Sequence, residues 1–336
     1  MPTMGLRVAR AFAALVVVLL ASLRPSATVA ADMTELKAGI SEAVNTVLAL
    51  WMAEAGGFYA AQGLKVDIIN MSGGSRGAEA LQAGRIDVMH VGLSSVVRLN
   101  RAGADLRVIG SLSNVIRFTF FSAPGVKTAA DLKGGVVGVS SFGSESDATV
   151  TLALQRLGLT RADVTLNEYG GGTRRLAALT SGEIKATAIN EPVASMAREQ
   201  GLNAMVDLAA EKIPWLFSGL VVKRSYLDAN RALLARFLKA TIEGNYLALS
   251  DEARAKDVLA KETKTTDAKI VAITYNEFLQ QTPVNAEPTR RGAENIIAQF
   301  PEGVSRDVDD YVDASILDAL KREGFFASLE QKYGRR

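Results

Sequence analysis

The sequence predicts an α/β fold of two lobes joined by a hinge, with a cleft between them and a helical C-terminal region. Three observations predict it. Strand-like and helix-like segments alternate from Glu35 to Lys223, the pattern of mostly parallel sheets covered by helices. One strand–turn–helix–strand stretch recurs at a shift of 98 residues. From Ser225 onward the pattern is helical, with Leu233, Leu234, Phe237, Leu238, Ile242 and Tyr246 at helical spacing.

Residues 1–31 are set apart from the fold. Arg7 and Arg10 precede an apolar run from Ala11 to Leu23, Arg24-Pro25 breaks it, and small residues follow to Ala31. That is the layout of a secretory signal peptide. The run is short against the roughly 20 residues that span a bilayer. Without this segment the chain carries 35 basic and 36 acidic residues, so net charge gives no reason to expect nucleic acid or a membrane surface as partner. The chain has no cysteine, which excludes a lipoprotein anchor, thiolate metal sites and a cysteine nucleophile. No cofactor is expected.

Glu35–Ile40 reads as the first strand and Asn45–Gln62 as one helix stopped by Gly63. Lys65–Asn70 is the second strand. The first copy of the repeat follows: Gly73-Gly74 turns, Ser75 stands at the helix N-cap, Arg76–Ala83 is helical and Gly84 ends it. Val88–Gly92 is the next strand, then Leu93-Ser94-Ser95 opens a helix to Arg101. Leu106–Ser111 and Arg117–Ser122 are strands, and Pro124-Gly125 punctuates the chain. Thr128–Lys133 is a short helix, Val136–Ser140 a strand, Ser141–Ser146 a polar turn, and Glu145–Leu157 a helix. The second copy has Gly171-Gly172, with Thr173 at the N-cap, Arg174–Ser181 helical and Ile184–Ile189 as strand. Asn190-Glu191-Pro192 opens the next helix, and Met205–Leu208 and Ser218–Lys223 are strands. The expected lobes are 33–121 plus 225–336, and 122–224, with crossings near Ser122 and Lys223.

Gly73–Gly77 fits G-x-S-x-G, a hydrolase nucleophile elbow. The repeat replaces its serine with Thr173 and its last glycine with Arg175. The chain's one histidine, His90, lies too near Ser75 in sequence for a triad, so Ser75 is not expected to be a nucleophile. What remains is a glycine turn at a helix N-terminus, suited to an anionic or polar ligand. His90 reads as a satisfied core or surface histidine, because no second histidine or cysteine completes a metal site.

Several stretches together resemble the solute-binding proteins of nitrate/sulfonate/taurine-type ABC importers: AEAGGFYAAQGLKVDII, SGGSRGAEALQAGRIDVMHVG, SAPGVKTAADLKGGVVGVSSFGSES and NRALLARFLKATIEGN. The resemblance implies a type II periplasmic binding fold. It also implies capture of a small solute in the interlobe cleft and delivery to a membrane permease with a cytoplasmic ATPase. A monomeric, periplasmic, non-enzymatic protein with no membrane anchor is expected. Binding is expected at strand-to-helix turns. In the first lobe these offer Ser41, Asn45, Gly73, Gly74, Ser75, Leu93 and Ser94. In the second they offer Phe142, Ser144, Ser146, Gly172, Thr173, Asn190 and Glu191, with Trp215 as a stacking ring. Helix N-termini on both sides point to an organic oxyanion such as a sulfonate or carboxylate. An exported enzyme like the pyrimidine synthases of the same fold, and a module presenting solute to a membrane sensor, are the alternatives.

Overall fold

The computed structural model describes residues 33–300 and 303–334, so the expected signal segment lies outside the described residues. The chain runs β1 (Thr34–Ile40), α1 (Leu48–Ala55), α2 (Phe58–Ala61), β2 (Leu64–Asn70), α3 (Gly74–Gln82), β3 (Val88–Val91), α4 (Leu93–Arg101), β4 (Leu106–Val115), β5 (Thr119–Ser122), α5 (Ala129–Leu132), β6 (Val136–Val139) and α6 (Glu145–Arg156). It continues through β7 (Thr165–Glu168), α7 (Gly172–Thr180), β8 (Ala186–Ile189), α8 (Val193–Glu199), β9 (Asn203–Asp207) and β10 (Pro214–Lys223). Helices then follow: α9 (Arg224–Ala229), α10 (Arg231–Ser250), α11 (Glu252–Thr263), α12 (Ala268–Gln281), α13 (Arg290–Ile297), α14 (Ser315–Arg322) and α15 (Phe325–Tyr333).

Two five-stranded sheets share one topology. The first has the order β2-β1-β3-β10-β4 and the second β7-β6-β8-β5-β9. In each, one strand runs against the other four: β10 is antiparallel to β3 and β4, and β5 to β8 and β9. The repeat accounts for this symmetry. A shift of 98 residues carries Thr119–Ser122 onto Phe217–Leu220, so β5 and β10 are equivalent strands, and each leaves its own half to complete the other sheet. The lobe boundaries drawn from sequence therefore shift. Thr119–Phe121, expected with the first lobe, lies in the second sheet, and Ser218–Lys223, expected with the second, lies in the first. The chain changes sheet between Val115 and Thr119 and between Asp207 and Pro214. Strand pairing, not the proline and glycine punctuation at 124–125, decides sheet membership. Phe120 and Phe121 are fully buried in that interior strand.

Two local expectations also differ. The helix expected over Asn45–Gln62 is broken into a 3₁₀ turn (Asn45–Val47), α1 and α2, because Gly57 adopts φ 72° and ends the first run. Glycines rather than hydroxyl residues cap the repeat helices: Gly73 and Gly171 are the N-caps, and Ser75 and Thr173 are the second residues of their helices. The cores follow the sheets. One cluster packs β1, α1 and α10, including Leu36, Trp51, Phe237 and Tyr246. A second joins Val91 and Leu216 of the first sheet to Phe120, Val137 and Ala188 of the second. Gly244 of α10 lies so close to the backbone of α1 at Ala49 and Ala53 that no side chain fits there.

Candidate functional site

Strand ends from both sheets line a common cavity of about 60 Å³. From the first sheet come Ser41, Glu42, Val44 and Thr46 after β1, Gly74 at the start of α3, His90–Gly92 at the end of β3, and Phe217 and Ser218 of β10. From the second come Ser140 after β6, Ser144–Ser146 at the start of α6, and Asn190 after β8. Phe118 occupies the first crossing. Strand C-terminal ends are where open α/β sheets bind ligands.

Carboxylates from each side reach helix N-termini on the other. Glu42 accepts from the Gly172 amide at 3.1 Å and from Nη2 of Arg175 at 3.3 Å. Arg175 is fully buried; its remaining donors go to the carbonyls of Gly170 (3.0 Å) and Ala188. Glu145 accepts from the Ser94 amide at 2.8 Å and from Nε1 of Trp215 at 2.6 Å. Its side chain lies directly over Gly92, where a Cβ would collide with it. Burial pushes the Glu145 carboxyl up to about 7, its two neutral donors pulling the other way. The amide ends of α4 and α7 thus already carry protein carboxylates.

Other polar atoms on the wall lack partners. Among the described residues, Thr46 Oγ1, both ring nitrogens of His90, and Asn190 Oδ1 find no partner of hydrogen-bond geometry, though each residue is at least 95% buried. The backbone of Thr46 and of His90 itself lies beside the His90 ring. Burial pulls its pKa down to about 4, so the ring is neutral and offers one donor and one acceptor. Buried polar groups are normally paired, so unpaired ones on a cavity wall mark where a ligand's groups would go.

Of the residues expected at the site, Ser41, Gly74, Ser144, Ser146 and Asn190 line the cavity. Ser41 donates to the His90 carbonyl at 2.8 Å. Ser144 and Ser146 bond each other and Ser140 within 3.0 Å, and Ser144 caps α6. The others lie around it in structural roles. Asn45 is buried and donates to Glu277 Oε2 at 2.6 Å. Ser75 donates to the Phe142 carbonyl at 3.1 Å, tying α3 to the turn before α6. Gly73 is the strained cap at φ 147°. Leu93 is in the core, and Ser94 supplies its amide to Glu145. Phe142 points outward, 47% exposed. Gly172 is taken by Glu42, and Thr173 is exposed. Glu191 accepts from the Ser195 amide and pairs with Arg198 at 2.7 Å. Trp215 is a buried strand residue bonded to Glu145.

Residues 45–255 match the family model described as NMT1/THI5 like. The chain belongs to the NMT1/THI5-like family. Among curated relatives, a riboflavin-binding protein RibY of Chloroflexus aurantiacus is 28% identical over 60% of this chain, and the match spans 59% of that relative's length. A putative aliphatic sulfonates-binding protein of Escherichia coli is 30% identical over 66% of this chain and 70% of the relative. Among solved structures, the periplasmic aliphatic sulphonate binding protein SsuA of Escherichia coli superposes with a TM-score of 0.60 at 21% identity, covering 90% of this chain and 94% of that one. The chain is thus a nitrate/sulfonate-type member of the family with the periplasmic binding protein fold.

Glu42, Thr46, His90 and Glu145 are among the lining residues of this family member that sequence reasoning did not assign to the site. Glu145 had a signal, since its helix start is a turn facing the cleft, but an acid in a first helical turn ordinarily serves its own helix dipole. Nothing local marks Glu42 or Thr46. Among the described residues, no group of three or more His, Cys, Asp or Glu is placed to hold a metal ion, and no helix is long and apolar enough to cross a membrane.

Proposed function

We propose that this protein is the solute-binding component of an ABC importer, holding a small organic solute between its two sheets and delivering it to a membrane permease and its ATPase. Export through residues 1–31, a periplasmic location and a monomeric state belong to the same proposal. The observation that carries it is the set of buried, unpaired polar atoms on both walls: Thr46 Oγ1 and His90 from the first sheet, Asn190 Oδ1 from the second. A solute that bonds all three would hold the two sheets together, and the two chain crossings would serve as the hinge. The relatives named for riboflavin and aliphatic sulfonates support a small-molecule role and differ in the charge of what they bind. An organic oxyanion, the class expected from the turns, would have to rely on hydroxyls and backbone amides, because among the described residues no lysine or arginine lines the cavity. The enzyme and sensor alternatives gain no observation of their own.

The test is a thermal-shift screen with sulfonates, carboxylates, nitrate, pyrimidines, flavins and amines. A ligand at 100 times its Kd adds about 2.7 kcal/mol. A compound that raises Tm in the native protein but not in Asn190→Ala supports the reading; no shift from any class overturns it.

A further inference from the structure

We propose that the cavity takes a small organic cation, an amine on an apolar body, and that Glu145 is the residue that selects its charge. The inference rests on the reading of the cavity as the solute site. Two charged side chains line the cavity, and both are acidic. Glu42 is matched by Arg175 at 3.3 Å. Glu145 has only neutral donors, one on each oxygen, and a carboxylate oxygen accepts more than one bond. An anion bound here would set a second charge beside an unmatched buried carboxylate, whereas an ammonium group would supply the missing partner. Val44, Val91, Phe118 and Phe217 form the apolar part of the wall, with the two rings edge to face at 5.1 Å. They suit a hydrocarbon or ring body, and Phe rings also favour a nearby cation.

The other charged groups around Glu145 do not offset it. On the cavity wall these are neutral His90 from β3 and the Arg175-paired Glu42. On α4, Arg98 lies by Gly143 and pairs with Glu79 at 3.6 Å. On α6 itself, Asp147 pairs with Arg161. The raised pKa of Glu145 gives the proposal a sign. A cation requires the ionised carboxylate, so its affinity rises with pH through about 7; an anion requires the protonated acid, so its affinity falls.

The experiment is calorimetric titration of the purified protein with benzylamine, benzyl alcohol, benzoate and benzenesulfonate from about pH 5.5 to about pH 8.5, spanning the carboxyl's titration. Benzylamine is expected to bind about tenfold or more tightly at the high end, and about tenfold or more above either anion. Glu145→Gln should lose that preference and the pH slope, read as the ratio of benzylamine to benzyl alcohol affinity at each pH. Gly92→Ala, which pushes the carboxylate aside while keeping its charge, should also weaken the amine. Tighter binding of an anion, binding of the alcohol but not the amine, or a pH slope of the opposite sign overturns the proposal and leaves the solute-binding reading standing. If none of the four binds, the proposal falls, and the wider screen then decides the solute-binding reading.

Discussion

The two glycine turns of the repeat have nearly the same sequence and opposite uses. In the first, Gly74 lines the cavity, and in the second, the Gly172 amide is occupied by Glu42 from across the cleft. The divergence traces to one pair of equivalent positions, Gly77 and Arg175. Beside Gly77 the sulfur and methyl of Met89 fill the space where a Cβ would go. The strand residue equivalent to Met89 is Thr187, whose hydroxyl turns to the Gly138 carbonyl at 2.8 Å, and here Arg175 crosses the strand to reach the Ala188 carbonyl and Glu42. A duplicated motif kept its helix, and the residue one turn inside that helix goes with which copy receives a carboxylate from across the cleft.

The largest test of this contrast is Arg175→Met. It leaves Glu42 and two carbonyls without their buried partner, and removing one member of a buried ion pair costs about 3–5 kcal/mol. A fall in Tm on the order of 10 °C is expected by calorimetry. A loss below about 1 kcal/mol would mean that the pair across the cleft is not formed in solution.

The acid over the first turn gives a pH test of somewhat smaller size. Burial raises Glu145 from its ordinary 4.5 to about 7, so its contribution to stability is fully present below about pH 4.5 and is lost as pH rises through 7. Burial lowers His90 from 6.5 to about 4, so its contribution is present above about pH 6.5 and is lost as pH falls through 4. The two slopes oppose each other, and denaturant titrations of the native protein should show little pH dependence between these limits. Glu145→Gln should uncover stability that climbs with pH, and His90→Gln stability that drops with pH, each by up to about 3 kcal/mol over the range. A Glu145→Gln variant as flat as the native protein would rule out the buried states of both groups.

Gly77→Ala sharpens the comparison from the other side. Met89 must move to admit one methyl, at a cost of about 1–3 kcal/mol. The smallest effect belongs to Arg76→Ala. Arg76 is exposed and bonds only the Ser72 carbonyl at 2.7 Å, so the change in denaturation midpoint should correspond to less than about 0.5 kcal/mol. A larger loss of solute affinity than of stability in that variant would bring Arg76 into the site after all.

The fold was legible wherever a local pattern controlled it. The alternation of strands and helices, the repeat and the helical tail each depend on spacing within about ten to twenty residues. The exchange of β5 and β10 was not, because Phe120 and Phe217 look alike as buried strand residues whichever sheet receives them. The site divided in the same way. Asn190, Gly74 and Ser144 stand at strand-to-helix turns, and the turns marked them. Glu42 and Glu145 owe their roles to partners 133 and 70 residues away, Arg175 and Trp215. A single sequence carries no sign of such a pairing.

The exchanged strands also set an order of assembly. The second sheet draws all its strands from one unbroken stretch, Thr119 to Asp207, so it can form as soon as that stretch exists. The first sheet cannot: β10 must slot between β3 and β4, and before Lys223 is available those two strands have nothing between them. Pulse-labelled hydrogen exchange during refolding should protect Phe120 and Ala188 before Met89 and Val108. β10 carries Phe217 and Ser218, so the chamber gains that wall only when β10 pairs with β3 and brings β4 into the sheet.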